Sequence, residues 1–185
     1  MMPEISLNVL DVAENSVRAG AKHVEIHIDA QTGEDTLTIR ISDDGCGMTE
    51  EQVSHVTDPF FTTRTTRRVG LGVPFFKMAA ELSGGSFNIS SVPGEGTVVN
   101  AVFGLTNVDR MPLGDMNSTM HTLITMHEEI DFLYRFCCDE QSFELDTAAM
   151  REILGDVSFQ EPEISAYIRE YLEENTSEVT RGQRL

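Results

Sequence analysis

The sequence has few basic residues. It contains 13 Lys and Arg residues against 31 Asp and Glu residues in a chain of 185, which gives a formal net charge of -18. A surface with this charge repels polyanions at long range, so we do not expect direct binding of nucleic acid. A phosphorylated small molecule can still bind if backbone amides, a few placed cationic side chains and a bridging divalent cation hold it.

Cysteines and long apolar segments are also scarce. Cys46, Cys137 and Cys138 are odd in number and form no C-x-x-C pair, so the sequence predicts neither a disulfide framework nor a zinc site. The first residues lack a signal-peptide pattern, and no apolar run reaches membrane-spanning length. We therefore expect a cytoplasmic protein that does not enter a membrane. The 40% hydrophobic content is enough for one packed core.

Hydrophobic periodicity predicts a regular order of elements in the first hundred residues. The predicted elements are a helix over about 7–19, strands at 23–29 and 36–42, helices at 49–56 and 72–85, and strands at 86–92 and 97–103. Turn-forming residues separate the members of each strand pair, which is typical of hairpins. Residues 58–72 show no sustained period, as expected of a functional loop.

After Leu105 the composition becomes Met-rich and polar, so we divide the chain into a domain of residues 1–105 and an extension of residues 106–185. The extension either continues the sheet of the first domain or forms a small separate lobe. Its predicted elements are strands at 119–126, 130–138 and 142–146, a helix at 147–154 capped by Asp146, a helix at 161–175 and a mobile tail. The apolar stripe on the last helix indicates core packing more than a partner surface.

Asp11 and Asn15 lie four residues apart on one face of the first predicted helix. Short polar side chains of this kind compete with the backbone for hydrogen bonds and weaken a helix interior. Their presence in adjacent turns therefore indicates a function.

Four short segments support the same conclusion, namely DVAENS, DDGCGM, DPFFTTRTTRRVGLG and GEGT. Each alone is common in turns and connectors. In this order and spacing they resemble the GHKL superfamily of ATP-binding domains, which includes gyrase B subunits, Hsp-type chaperones, histidine kinases and MutL proteins. The resemblance covers about residues 10–103. It implies a two-layer α/β sandwich with a mixed, mostly antiparallel sheet and helices on one face, to which the C-terminal α+β extension is added.

The resemblance also implies a set of residues that bind ATP and Mg²⁺. Asn15 matches the magnesium ligand, and an amide oxygen suits this ion, which is otherwise held by substrate phosphates and water. Asp43 matches the carboxylate that accepts the exocyclic N–H of adenine, and Thr97 matches the residue that helps to hold a bridging water. The other residues implied at the nucleotide are Arg18, Gly45, Gly47, Met48, Phe60, Arg64, Gly70, Leu71 and Gly72.

Asp11 departs from the family pattern. Many members have a Glu that acts as a general base at this position, and many histidine kinases have Asn. Asp is one methylene shorter than Glu, which moves the carboxylate on the order of 1 Å away from the γ-phosphate, a displacement that can cost about a hundredfold in rate. We expect Asp11 to act as the base in a slow enzyme.

Other phosphate chemistry is not indicated. The sequence has no P-loop, and Gly70 and Gly72 lack the third glycine of a dinucleotide fingerprint. His127 and Glu128 begin no phosphoacceptor motif, because Phe132 stands at the position of its proline. None of the five histidines belongs to a pattern of metal ligands.

The leading functional hypothesis is a stand-alone protein kinase that acts in trans. Only about ten residues precede the first motif, too few for the helical hairpin that carries the phosphoacceptor in histidine kinases. We therefore expect a protein substrate or partner, docked by the extension, and a homodimer is possible. Two alternatives remain open: an ATPase switch with nucleotide-gated partner binding or dimerisation, and an ATP sensor without chemistry.

Overall fold

The computed structural model of the chain describes residues 4–58, 71–183 and 185. The described elements are α1 (Ile5–Arg18), β1 (His23–Gln31), β2 (Thr36–Asp43), α2 (Glu50–Thr57), α3 (Gly72–Leu82), β3 (Ser86–Val92), β4 (Gly96–Gly104), α4 (Met116–Met126), β5 (Asp131–Cys138), β6 (Gln141–Asp146), α5 (Thr147–Leu154) and α6 (Pro162–Thr180). In the first hundred residues these elements agree with the prediction, and no end differs by more than three residues.

The six described strands form one open sheet in the order β3-β4-β2-β1-β5-β6. The pairing of β1 with β5 is parallel, and the other four pairings are antiparallel. The predicted mixed, mostly antiparallel sheet is thus confirmed. β5 continues the sheet directly beside β1, from the pair His23 and Asp131 to the pair Ala30 and Cys138. The division of the chain at residue 105 stays a prediction.

The hydrophobic core lies between the sheet and the helices. Every second residue of β1 and β5, and of β2 as far as Ile41, is buried, whereas the residues between them keep part of their surface accessible. This period of two arises because successive side chains of a strand point to opposite faces and the helices cover only one of them. The largest fully buried side chains include Tyr134, Phe76, Phe103, Phe132, Phe136, Ile26, Ile28 and Ile39.

α1 packs between α3 and α4 on the covered face. Ile5, Val9 and Val12 are buried at spacings of three and four residues, which places the apolar side of the helix on the core. Asp11 and Asn15 lie at the border of this apolar side and are half-buried. The elements around them therefore fix the position of the polar pair.

The predicted strand at residues 119–126 is wrong, because residues 116–126 form the helix α4. Its Thr and Ile residues favour a strand locally. However, Met116, Met120, Leu123 and Ile124 are buried at helical spacing. The Asp115 side chain also accepts a hydrogen bond from Ser118 N at 2.8 Å and caps the helix. Tertiary packing and the cap thus override local β preference.

The end predicted for the last helix is also wrong. α6 continues to Thr180, so the tail that we expected to be mobile begins inside a helix. Val179 and Thr180 are buried, and Arg181 ends the helix in a left-handed conformation with φ of 53°. In the middle of α6, Ile168 and Leu172 are fully buried, as expected of core packing.

Asp146 caps α5 as predicted, since its side chain accepts hydrogen bonds from the amides of Ala148 and Ala149. The next residue, Thr147, is fully buried and accepts a hydrogen bond from Phe132 N at 2.8 Å, which ties the start of α5 to β5. Among the described residues, no helix is long and apolar enough to cross a membrane.

Candidate nucleotide-binding site

Asp43, the last residue of β2, is held from two directions. Ser16 Oγ on α1 donates to Asp43 Oδ2 at 2.6 Å, and Gly45 N donates to Asp43 Oδ1 at 2.9 Å. Each carboxylate oxygen has room for a second hydrogen bond, so Asp43 remains able to accept one from a ligand. Ser16 is nearly fully buried, with 3% exposure, which makes this orientation rigid.

The loop after Asp43 turns back against the β3–β4 hairpin. Gly47 has φ of 65°, and a Cβ at this position would lie 2.0 Å from Val92 O. Only glycine combines this backbone conformation with such a close approach. Gly94 N also donates to Cys46 O at 2.7 Å. The second glycine of the DDGCGM segment is therefore required by the packing of the loop.

A cavity of about 220 Å³ lies between α1, this loop and strands β2, β3 and β4. The site residues predicted from the sequence that line it are Asn15, Asp43, Gly47, Met48 and Thr97. Its apolar walls are formed by Val12, Ile41, Val56, Val73, Ile89 and Val99. Complete ligand sites usually occupy roughly 300–1,000 Å³, so this cavity suits the base of a nucleotide and leaves the rest outside.

A larger cavity, of about 430 Å³, lies beside the N-terminal end of α1 and the C-terminal end of α6. It is lined by Glu4, Asp115, Phe136 and Thr176, among others, and by none of the predicted site residues. The smaller cavity combines apolar walls with convergent polar groups from Asp43 and Thr97, which is typical of a small-molecule site.

Asn15, on α1, forms part of the wall of the smaller cavity. Its Oδ1 accepts a hydrogen bond from Arg18 Nη1 at 3.0 Å. An amide oxygen has two lone pairs, so a second one remains for another partner. The donor type and the position beside the cavity fit a magnesium ion that is held mainly by nucleotide phosphates. Among the described residues, no group of three or more His, Cys, Asp or Glu side chains has the geometry of a metal site.

Asp11 lies one turn before Asn15 and is half-buried. Burial raises the pKa of its carboxyl above the ordinary value, the charge of Arg18 opposes this rise, and the charge of Glu14 adds to it. A raised pKa is typical of carboxyl groups that act as general bases near neutral pH, although structural ion pairs also shift such values.

The first turn of α3 lies directly beside Asp11. A Cβ on Gly72 would be 2.6 Å from Asp11 Cβ and 2.9 Å from Asp11 Oδ2. The N-cap residue Leu71 makes no capping side-chain hydrogen bond. The first amides of an α-helix have no partner within the helix, and such amides suit phosphate oxygens.

The structure thus brings together Asp11, Asn15, Arg18, Asp43, Gly45, Gly47, Met48, Gly72 and Thr97. Leu71 lies at the start of α3 and is exposed. Phe60, Arg64 and Gly70 lie outside the described residues.

Two serines escaped the sequence analysis. Ser16 contacts Asp43, as described above, and Ser91 contacts Thr97. Ser16 directly follows Asn15, and Ser91 lies six residues before Thr97, so both could have been noticed from their spacing to motif residues. Serine is too common in loops and strands for that spacing alone to identify a role.

The chain matches the family described as histidine kinase-, DNA gyrase B- and HSP90-like ATPase over residues 4–107. Because the match covers more than half of the chain, the chain belongs to this family. It is 29% identical over 99 residues to the sensor histidine kinase YkoH of Bacillus subtilis, a stretch that covers 51% of this chain and 21% of that protein. It is 31% identical over 120 residues to the cell-division control histidine kinase PdhS of Brucella ovis, which covers 57% of this chain and 11% of that protein.

Two solved structures are similar in fold. One is the N-terminal domain of a DNA repair protein, with a TM-score of 0.52 and 12% identity, covering 78% of this chain and 52% of that one. The other is the Aquifex aeolicus MutL ATPase domain complexed with ADP, with a TM-score of 0.48 and 16% identity, covering 83% of this chain and 68% of that one. Family membership supports ATP binding by this chain.

Proposed function

We propose that this protein is an ATP- and Mg²⁺-dependent protein kinase of the histidine-kinase-like class, which transfers the γ-phosphoryl group to an acceptor on another polypeptide. The observation that carries this proposal is the placement of Asp11, Asn15 and Arg18 on one face of α1, between the cavity and the first turn of α3. In this proposal a general base, a magnesium ligand and a cation lie at one end of a cavity that has the size of a nucleobase.

Each side chain has a proposed role. Asp43 accepts a hydrogen bond from the exocyclic amino group of adenine, and Thr97 supports the base from the neighbouring strand. Asn15 would hold Mg²⁺ together with the phosphates, and the bound ion would supply positive charge beside the transferred group. Arg18 leaves Asn15 for a phosphate oxygen. Asp11 takes the proton of the attacking group.

The relatives support the kinase class. YkoH and PdhS are named as histidine kinases, and each matches this chain over about half of its length. The match covers 21% of YkoH and 11% of PdhS, so the kinase activity, its substrate and its partner are part of the proposal.

A second candidate is an ATPase switch, which the contact between α1 and the extension favours. His127, at the end of α4, lies with Nε2 2.8 Å from Oε1 of Glu14, which is adjacent to Asn15. A movement of α1 on nucleotide binding would therefore reach the extension, and Asp11 can orient a water as well as an acceptor group. A sensor without chemistry is the third candidate, in which Asp11 supports no turnover.

A thermal shift with ATP and Mg²⁺ tests the premise that all three candidates share. Saturation at about 100 times Kd should stabilise the fold by about 2.7 kcal/mol. Asp43→Asn replaces a carboxylate oxygen, which accepts hydrogen bonds, with an amide nitrogen, which donates them. This variant should show a smaller thermal shift with ATP. An absent shift for ATP and for GTP would contradict the proposal.

Incubation with γ-labelled ATP, with and without cell extract, then separates the candidates. Label on a second protein identifies a kinase, and label released as free phosphate identifies an ATPase. Binding without either product identifies a sensor and contradicts the kinase proposal. The variant Asp11→Asn, run in parallel, shows whether any label that appears depends on this site.

A further inference from the structure

Ser91 contacts three residues of the candidate site through one hydroxyl group. Its Oγ accepts a hydrogen bond from Met48 N at 2.8 Å, donates to Gly96 O at 3.0 Å, and lies 2.8 Å from Thr97 Oγ1. Ser91 is half-buried and is not among the residues that line the cavity. Any effect on a ligand must therefore pass through its neighbours.

The three residues Ser91, Thr97 and Asp43 form a row across neighbouring strands. Ser91 pairs with Thr97 between β3 and β4, and Thr97 pairs with Asp43 between β4 and β2. Side chains at paired positions lie on the same face of a sheet. The row therefore runs from the edge strand into the cavity, where Thr97 and Asp43 form part of the wall.

One arrangement of protons satisfies all three contacts of Ser91. A serine hydroxyl has one proton and two lone pairs. The amide of Met48 can only donate and the carbonyl of Gly96 can only accept, so the serine proton belongs to Gly96 O. The remaining lone pair of Ser91 then receives the proton of Thr97.

In this arrangement Thr97 Oγ1 offers only lone pairs to the cavity. An ionised Asp43 likewise has only acceptors. The amino group at C6 of adenine is a donor, whereas guanine has a carbonyl oxygen at the same position. In the proposed orientation, in which C6 of the purine faces these two acceptors, adenine is favoured and guanine is disfavoured.

We propose that Ser91 is a positioning residue that sets the preference for adenine by turning the Thr97 hydroxyl into an acceptor. This inference rests on the proposed function, in which the cavity holds the base of ATP. Ser91 does not contact the nucleotide. It fixes the direction of a hydrogen bond that the nucleotide meets.

The test compares Ser91→Ala with the matched control Ser90→Ala. Ser90 is the preceding residue of the same strand and is exposed on the opposite face. Dissociation constants are measured for ATP, for GTP and for purine riboside triphosphate, which has hydrogen in place of the amino group. In Ser91→Ala we expect ATP to bind roughly three- to tenfold more weakly, as for the loss of one hydrogen bond. The affinity for purine riboside triphosphate should stay unchanged, so the ratio of ATP to GTP affinity should fall.

Two further variants test whether the effect passes through Thr97. Ser91→Thr keeps the hydroxyl and should keep the ratio of ATP to GTP affinity. Thr97→Val removes the hydroxyl at nearly constant shape and should lower this ratio as Ser91→Ala does. In the Thr97→Val background, Ser91→Ala should cause no further change, because the residues act as one unit. Thermal unfolding of each variant confirms that the measured protein is folded.

The possible failures are distinguishable. If the wild type binds neither ATP nor GTP, the proposed function fails. If the wild type prefers ATP and Ser91→Ala keeps that preference, only the role of Ser91 is overturned. Equal weakening of all three nucleotides would show that Ser91 merely supports the loop, and it would also overturn the inference.

Discussion

The side chain of Asp11 lies in direct contact with Gly72, the first residue of α3. A Cβ at position 72 would be 2.6 Å from Asp11 Cβ and 2.9 Å from Asp11 Oδ2, both shorter than real Cβ contacts. The two helices thus meet through a side chain on α1 and the bare backbone of α3. The first turn of α3 is therefore one wall of the space in which the Asp11 carboxylate can move.

Gly72→Ala should displace Asp11 or move the start of α3. A displacement of the Asp11 carboxylate, the proposed general base, by about 1 Å can cost on the order of a hundredfold in rate. We therefore expect turnover of ATP to fall more than tenfold. Overpacking at this contact should also lower the free energy of unfolding by about 1–3 kcal/mol. Gly33→Ala is the matched control, because a Cβ at Gly33 meets nothing within 4 Å. Equal turnover in both variants would contradict a catalytic role for this contact.

Asp11→Asn should abolish turnover and leave ATP affinity nearly intact. The amide keeps the size of the side chain but cannot take a proton. The residues proposed to hold the adenine ring and the magnesium ion are unchanged. Single-turnover measurements with γ-labelled ATP, together with a binding titration, check both parts. Turnover at the wild-type rate would exclude Asp11 as the base.

The pH dependence of turnover should report the raised pKa of Asp11. Burial favours the neutral form, so the carboxylate forms at a higher pH than the ordinary Asp value of about 3.9, and turnover rises only as the pH passes the raised value. Arg18 lowers this pKa and Glu14 raises it. At saturating ATP, Arg18→Gln should therefore move the acidic limb to higher pH, and Glu14→Gln should move it to lower pH.

This pair of variants gives opposite signs from two substitutions on the same helix. A general loss of folding would reduce turnover in both and would not move the limb in opposite directions. Shifts of the same sign would show that a group other than Asp11 controls the acidic limb.

The sequence was informative where a motif and a hydrophobic period agreed. Alternation in β1 and β2 predicted the buried face, and the motif segments contain several of the polar residues that line the cavity. The same reasoning failed at α4, where Thr119 and Thr125 favoured a strand locally while burial against α1 and α6 selected a helix. Local preferences there are weaker than packing, and packing depends on residues distant in sequence.

Part of the site could not be predicted for a similar reason. Ser16 and Ser91 act on Asp43 and Thr97 across gaps of 27 and 6 residues, and serine carries no distinctive signal at either position. The approach of α3 to Asp11 likewise depends on how two helices pack and not on either segment alone. The sequence therefore indicated several of the polar residues that line the cavity and left open which residues orient them.

His27 provides a test on the uncovered face of the sheet. Burial lowers the pKa of this histidine, Arg135 and Arg40 add to the effect, and Glu25 opposes it, as Glu144 does more weakly. The unfolded chain, with an ordinary histidine pKa of about 6.5, therefore binds more protons than the folded chain at mildly acidic pH. The contribution of His27 to stability is complete above pH 6.5 and is lost as the pH falls from there toward the lowered pKa.

His27→Gln should remove this loss because glutamine does not titrate. We expect the free energy of unfolding of the wild type to fall more steeply between pH 7 and pH 5 than that of the variant, by at most about 1.4 kcal/mol for each unit of pKa lowering. Urea unfolding at several pH values measures the difference, and carboxyl groups that titrate in both proteins cancel from it. Parallel pH curves for wild type and His27→Gln would show that His27 is as well solvated in the folded protein as in the unfolded chain.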